Sequence, residues 1–205
     1  MRTLTDEKKN AILAAASAVF QEQGYERASM NEVARRAGGS KATLYNYFPS
    51  KEALFEAVVR LYSTSFLTRA AEELAVDNAA GSTLEETLRH FGEGLLSVLT
   101  TDRQALQLYR VVVGEAGHSN IGELFLISGV RDSMESLACL MQKYIDAGVL
   151  RAGDPMVRAK QFSALVTAEV DDLLLQKEMR RYSDAQIVAM VQDAVALFMM
   201  GAKAS

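Results

Sequence analysis

Residues 29–48 read SMNEVARRAGGSKATLYNYF. Two short helical stretches meet at Gly38-Gly39, and that junction decides the fold of the N-terminal part. A tight turn between crossing helices needs a residue that adopts positive φ without steric cost, which glycine supplies. Ala34 puts a small side chain where the helices cross, and Val33, Ala37 and Leu44 offer the apolar contacts that lock the crossing. The second helix opens with Ser40-Lys41-Ala42-Thr43, small or polar residues of the kind that reach base edges in a major groove. Ser29, Ser40 and Ser50 suit N-cap positions, so three helix starts with free N–H groups fall close together, a setting that favours phosphate. Tyr45, Tyr47 and Lys51 add two hydroxyls and a cation beside them. The same pattern also suits a plain three-helix bundle with solvated lysine and tyrosine at its rim.

Composition extends the reading outward. Hydrophobic residues make up 49% and charged residues 23% of the 205, which excludes a disordered chain. Two prolines are too few for the regular turns of a sandwich or barrel, and the Ala, Leu, Glu, Arg and Met bias predicts an all-α chain. The net charge of −4 argues against a nucleic-acid partner until its distribution is considered. Residues 1–60 hold nine Lys and Arg against seven Asp and Glu; the rest hold 13 against 19. A mildly basic quarter on an acidic body suggests two jobs. A lone cysteine, Cys139, cannot form an internal disulfide and fits a reducing cytoplasm; it reads as a buried small apolar residue.

Caps and glycine stops predict about nine helices, at 5–23, 30–37, 41–48, 51–78, 83–100, 103–116, 120–147, 155–178 and 184–201. Capping boxes are expected at Ser29–Glu32 and Ser82–Glu85, and Asp154-Pro155 marks a further start. Lys8-Lys9 before the apolar run Ala11–Phe20 superficially resembles a secretory leader, but Ile12, Ala15, Ala16, Val19 and Phe20 keep helical spacing on one face. The apolar run Ile187–Met200 is short of a bilayer, since its 14 residues rise only about 21 Å as a helix.

Between Lys9 and Val59 the chain resembles the DNA-binding domain of the TetR family of bacterial transcription regulators. The resemblance rests on Ile12-Leu13, Ala15-Ala16, Phe20, Gly24-Tyr25, Ser29, Val33-Ala34, Ala37-Gly38 and Ser40-Lys41. It is strongest over Thr43-Leu44-Tyr45-Asn46-Tyr47-Phe48 and Ser50-Lys51-Glu52-Ala53-Leu54-Phe55. It implies a three-helix helix-turn-helix domain over residues 1–55 and a helical ligand-binding and dimerisation domain over 56–205. It implies base contacts from Lys41, Ala42, Thr43 and Tyr45, and phosphate contacts from Ser29, Ser40, Tyr47 and Lys51. One departure stands out. Gly39 occupies a place where the family usually carries an apolar residue, often valine, which predicts a looser turn.

The helices expected at 155–178 and 184–201 are apolar nearly all round and need burial on more than one side. A four-helix interface between two copies would supply it, with Val195 and Phe198 at the subunit boundary. Phe91, Leu95, Tyr109, Phe125, Met134, Met141 and Phe162 are the candidate lining of a ligand pocket, and Glu169 the candidate partner for a polar ligand group. No enzymatic motif is present: G-x-S-x-G, G-x-x-x-x-G-K-[ST] and His-Glu-x-x-His are all missing, and two histidines with one cysteine make no usual zinc site. No cofactor, metal or membrane is therefore expected. The expected protein is a homodimeric cytoplasmic repressor, released from a pseudo-palindromic duplex operator by a small hydrophobic effector. An activator, an inducer-independent DNA-binding relative, and a small-molecule binder with a vestigial DNA-binding unit are the alternatives.

Overall fold

The computed structural model of the chain describes residues 5–61, 82–178 and 180–204. Its helices are α1 (Asp6–Gln23), α2 (Met30–Arg36), α3 (Lys41–Tyr47), α4 (Lys51–Val59), α5 (Leu84–Thr101) and α6 (Arg103–Glu115). They continue as α7 (Ile121–Phe125), α8 (Arg131–Asp146), α9 (Pro155–Thr167) and α10 (Asp184–Ala202). Among the described residues there is no strand, only an isolated bridge between Leu150 and Lys203. The chain is all-α. α7 and α8 are joined through a π-helical stretch, Leu126–Val130, with Gly129 at φ 124°, so together they fill the helix expected at 120–147. The helix expected at 51–78 is described only to Leu61, and its remainder lies outside the described residues.

Two compact units result. The first contains residues 5–61 and 104–128, so it extends past the boundary expected at residue 55. Its core joins Ile12, Ala16 and Phe20 of α1 to Val33, Leu44, Phe55 and Val58, with Leu108, Val112 and Ile121 added from α6 and α7. Phe55 meets Phe20 at 5.1 Å and 83° and Tyr25 at 5.1 Å and 68°, edge-to-face geometries favoured by the ring quadrupole.

The second unit contains residues 82–103 and 129–204, with α5, α8, α9 and α10 packed around Phe91, Phe162 and Phe198. α10 crosses α5 at Gly92, where an added Cβ would stand 2.8 Å from Val191 Cγ1 and 3.3 Å from Val166 Cγ2. Both neighbours are stiff branched side chains. Gly92→Val is therefore expected to destabilise by about 1–3 kcal/mol through overpacking, read as a lowered urea midpoint at unchanged slope.

Several local expectations need correction. The box at α5 is formed by Thr83 and Glu86, one residue later than Ser82 and Glu85, which puts Leu84 in the core. Ser29 does cap α2, but Glu32 does not return the bond, because its carboxylate takes Arg35 and Arg36 instead. The helix expected at 155–178 ends at Thr167, and Asp171–Leu174 form a separate 3-10 turn. Paired acids suit a helix start and oppose a helix end, so Asp171 and Asp172 favour the break. Leu175 is consequently left 89% exposed, off any helix face. Val195 and Phe198 lie inside the chain's own unit, Phe198 edge-on to Phe162 at 5.4 Å. Cys139 is exposed, not buried.

α10 is, among the described residues, the helix long and apolar enough to cross a membrane. The expectation drawn from Ile187–Met200 alone understated its length, which is 19 residues. Ile187, Met190, Val191, Ala194, Val195, Phe198 and Met199 are buried against its own unit, as in a core helix.

Candidate nucleic-acid interface

The geometry at residues 29–53 starts with three serine caps. Ser29 Oγ accepts from Glu32 N at 3.2 Å, Ser40 Oγ from Thr43 N at 3.1 Å, and Ser50 Oγ from Ala53 N at 3.1 Å. Gly38 takes φ 63°, and the Gly39 amide donates back to Ala34 O at 3.0 Å, which closes the turn. Leu44 is 1% exposed and anchors α3 against Val33 and Ala34. With Leu44 inward, helical geometry turns Lys41, Ala42, Tyr45 and Asn46 outward, and all four are exposed. The Lys41 ammonium lies 5.7 Å from the centre of the Tyr45 ring. Thr43 is half-buried, with its hydroxyl 2.9 Å from that of Ser40.

Two expected phosphate contacts are tied to the chain itself. The Tyr47 hydroxyl accepts from the Thr5 amide at 2.9 Å. The Lys51 ammonium donates to Tyr25 O at 3.0 Å and Glu26 O at 3.1 Å, and sits 4.5 Å from the Tyr25 ring centre. The same turn is gripped by Glu115, whose carboxylate accepts from Tyr25 N at 2.8 Å and Glu26 N at 3.1 Å. Gly24 is needed there twice over: its φ is 77°, and a Cβ would fall 2.2 Å from Glu115 Oε1. Sequence reasoning missed Glu115 and also Lys8, which donates to Ala37 O at 2.6 Å and Gly38 O at 3.0 Å. Lys8 also lies against Gly39, so the looser turn expected there is filled by a lysine stem. No local signal marks either residue, since their partners lie about 30 and 90 positions away in the chain.

On α2 the basic groups are neutralised in part. Arg35 and then Arg36 hydrogen-bond Glu32 and hold its carboxyl down at about 2, and Arg36 likewise lowers Glu22. Both acids ionise more readily folded than unfolded, so their pairing stabilises above the ordinary carboxylate range, about 4.3, and fades as pH falls below it, for Glu32 towards about 2. Since the pairs are surface-exposed, added salt is expected to shrink this acid-limb loss of thermal stability in a pH series.

The ligand-lining candidates fall into separate groups. Tyr109 and Phe125 stack at 5.3 Å in the first unit. In the second, Phe91, Met141 and Phe162 are buried, Leu95 and Met134 half-buried, and Met134 Sδ lies 3.8 Å from Ser163 Oγ. Glu169 is exposed in the turn after α9, away from the apolar surroundings expected for it.

A short exposed helix, set by a glycine turn on a three-helix core, defines a helix-turn-helix protein. Residues 12–58 match the family described as bacterial regulatory proteins, tetR family, and residues 86–201 match the AefR-like transcriptional repressor, C-terminal domain. The chain belongs to the tetR family. It is similar to the solved flavonoid-responsive regulator FrrA, with TM-score 0.71 and 31% identity over 97% of this chain and 98% of that one. A TetR family transcriptional regulator from Pseudomonas syringae pv. tomato str. DC3000 is 30% identical with TM-score 0.71, covering 98% of each. By sequence it resembles the HTH-type transcriptional activator FasR of Mycolicibacterium smegmatis, 35% identical over 50% of this chain and 45% of FasR. The chain spans about half the length of such relatives, as it does for the nucleoid occlusion factor SlmA of Haemophilus influenzae.

Proposed function

We propose that the chain is a homodimeric, sequence-specific DNA-binding regulator that represses transcription from a pseudo-palindromic operator. The observation that carries this reading is the outward face of α3, Lys41, Ala42, Tyr45 and Asn46, held out by the buried Leu44. In this reading Lys41, Ala42, Thr43 and Tyr45 meet bases, and the Ser29, Ser40 and Tyr47 hydroxyls meet phosphates. Lys51 reaches phosphate only with what its two backbone acceptors leave free. Residues 1–55 carry the DNA-binding role and 56–205 the effector and dimer roles, a division of labour distinct from the packing units.

The dimer surface is the outer side of α9 and α10. Val157, Ala164 and Ala168 lie exposed along and just beyond α9, and Ala189, Ala196, Leu197 and Met200 along α10. Small residues let paired helices approach closely, and Leu197 and Met200 supply apolar area. A cytoplasmic location and no membrane contact accompany this reading, since the apolar surplus of α10 is met by a second copy. The effector is a small apolar molecule that prefers the conformation unable to fit DNA, and it shifts the population by its differential affinity. The name of FrrA makes a flavonoid the first compound to try. FasR supports the second reading, an activator.

Selection from a random duplex pool tests the proposal. Half-sites related by a two-fold axis, centred about 10 bp or more apart, are expected. Absence of sequence enrichment, or recovery of asymmetric single half-sites, contradicts it. A reporter behind the selected site then separates the two readings: deleting the gene raises expression for a repressor and lowers it for an activator.

Thr43→Ala and Lys51→Ala are expected to fail differently on that site. Thr43→Ala relaxes preference at one or two positions by about 1–3 kcal/mol. Lys51→Ala weakens all duplexes alike, because a lost phosphate contact carries no sequence information. A panel of single-base operator variants checks both, and identical profiles overturn the assignment.

A further inference from the structure

The start of α1 reaches both the turn before α3 and the last residue of α3. At the leading end, Lys8 Nζ donates to Ala37 O at 2.6 Å and Gly38 O at 3.0 Å. These carbonyls close α2, where a helix leaves acceptors without intrahelical donors and its dipole favours a cation. The lysine stem lies along Gly39, with Cε and Nζ each 3.4 Å from where a Cβ would stand. At the trailing end, the Thr5 amide donates to the Tyr47 hydroxyl. Lys8 is half-buried, while its neighbours Asp6, Glu7, Lys9 and Asn10 are exposed.

We propose that Lys8 is a positioning residue for DNA recognition: it fixes the turn that aims α3 and does not itself bind phosphate. This rests on the DNA-binding reading above. A basic residue near the start of a DNA-binding domain would ordinarily be assigned to the DNA backbone, but this ammonium is turned onto two carbonyls of its own chain. Its removal leaves the charge facing DNA unchanged and frees the Gly38–Gly39 turn to vary, so the loss falls on sequence-specific binding.

The test compares the 205-residue chain with Lys8→Met, which keeps the stem and loses the donors, and Lys8→Arg, which keeps cation and donors. The probes are the duplex selected by the wild-type chain and a scrambled duplex of equal length. Lys8→Met is expected to bind the selected duplex at least about tenfold more weakly, on the scale of hydrogen bonds to a charged group. Its affinity for the scrambled duplex and the salt dependence of both stay unchanged, and Lys8→Arg restores most of the loss. Equal weakening on both duplexes, with the salt slope reduced by about one, would identify a phosphate contact and overturn the proposal. Unchanged affinity, or a loss that merely tracks a lowered thermal midpoint and that arginine does not restore, overturns it as well. Amide hydrogen exchange without DNA separates this from failure of the DNA-binding reading. The amides of residues 39–44 are expected to exchange faster in Lys8→Met while those of α4 do not, and equal protection in both proteins would refute the clamp.

Discussion

A Leu197→Asp chain is expected to sediment as a monomer and to lose operator affinity by two orders of magnitude or more, towards its non-specific level. Leu197 is 58% exposed on α10, so a carboxylate there stays solvated in the single chain and costs the fold little. In a dimer the same carboxylate would be buried without a partner, at a cost of several kcal/mol. A monomer offers one α3 where the proposed operator presents two half-sites. Phe198→Asp is the wrong probe, although it is the adjacent residue. Phe198 is 4% exposed against Phe162, so its replacement unfolds the second unit before any statement about assembly can be made. Sedimentation of Leu197→Asp beside a duplex titration checks the expectation; a dimer of normal affinity would move the interface elsewhere.

Phe55→Ala should destabilise by about 3–5 kcal/mol, the range for removing a buried aromatic ring. Phe55 is fully buried and makes edge-to-face contacts with both Phe20 and Tyr25, so the cavity would open where α1, the Tyr25 turn and α4 meet. That turn is the one held by Glu115 and Lys51, and its loosening releases α2 and α3 with it. Duplex binding is expected to fall with the folded fraction. Urea unfolding followed by tyrosine fluorescence measures the first effect, and an anisotropy titration measures the second. A loss under 1 kcal/mol would show that the ring is not the keystone of this core.

What the sequence revealed was what lies close together in it. Ser29, Ser40, Ser50, Gly38 and Leu44 define caps, turn and lock within about 20 residues, and each sits where its local chemistry places it. Asp154-Pro155 and Gly148 bounded their helices for the same reason. The grip of Glu115 on Tyr25 and of Lys8 on Ala37 was invisible, because side-chain reach across a fold leaves no periodicity. The end of α9 was missed for a different reason. An apolar run with no glycine or proline gives no stop signal, and the acid pair Asp171-Asp172 opens a separate 3-10 turn in place of a continued helix. On α10, hydrophobicity all round predicts burial on more than one side but does not say which side meets its own chain. Only the packing shows that Phe198 faces inward and Leu197 outward. The fold was thus legible from local chemistry, whereas the contacts that orient α3 were not.

In the proposed function, two copies of α3 read one duplex. Sedimentation of the protein on the selected full site and on a single half-site, with affinities measured over a salt series, addresses this directly. The expected result is two chains on the full site and binding to the half-site at least about a hundredfold weaker, with log K falling linearly as log salt rises. One chain per full site, with equal affinity for the half-site, would contradict it.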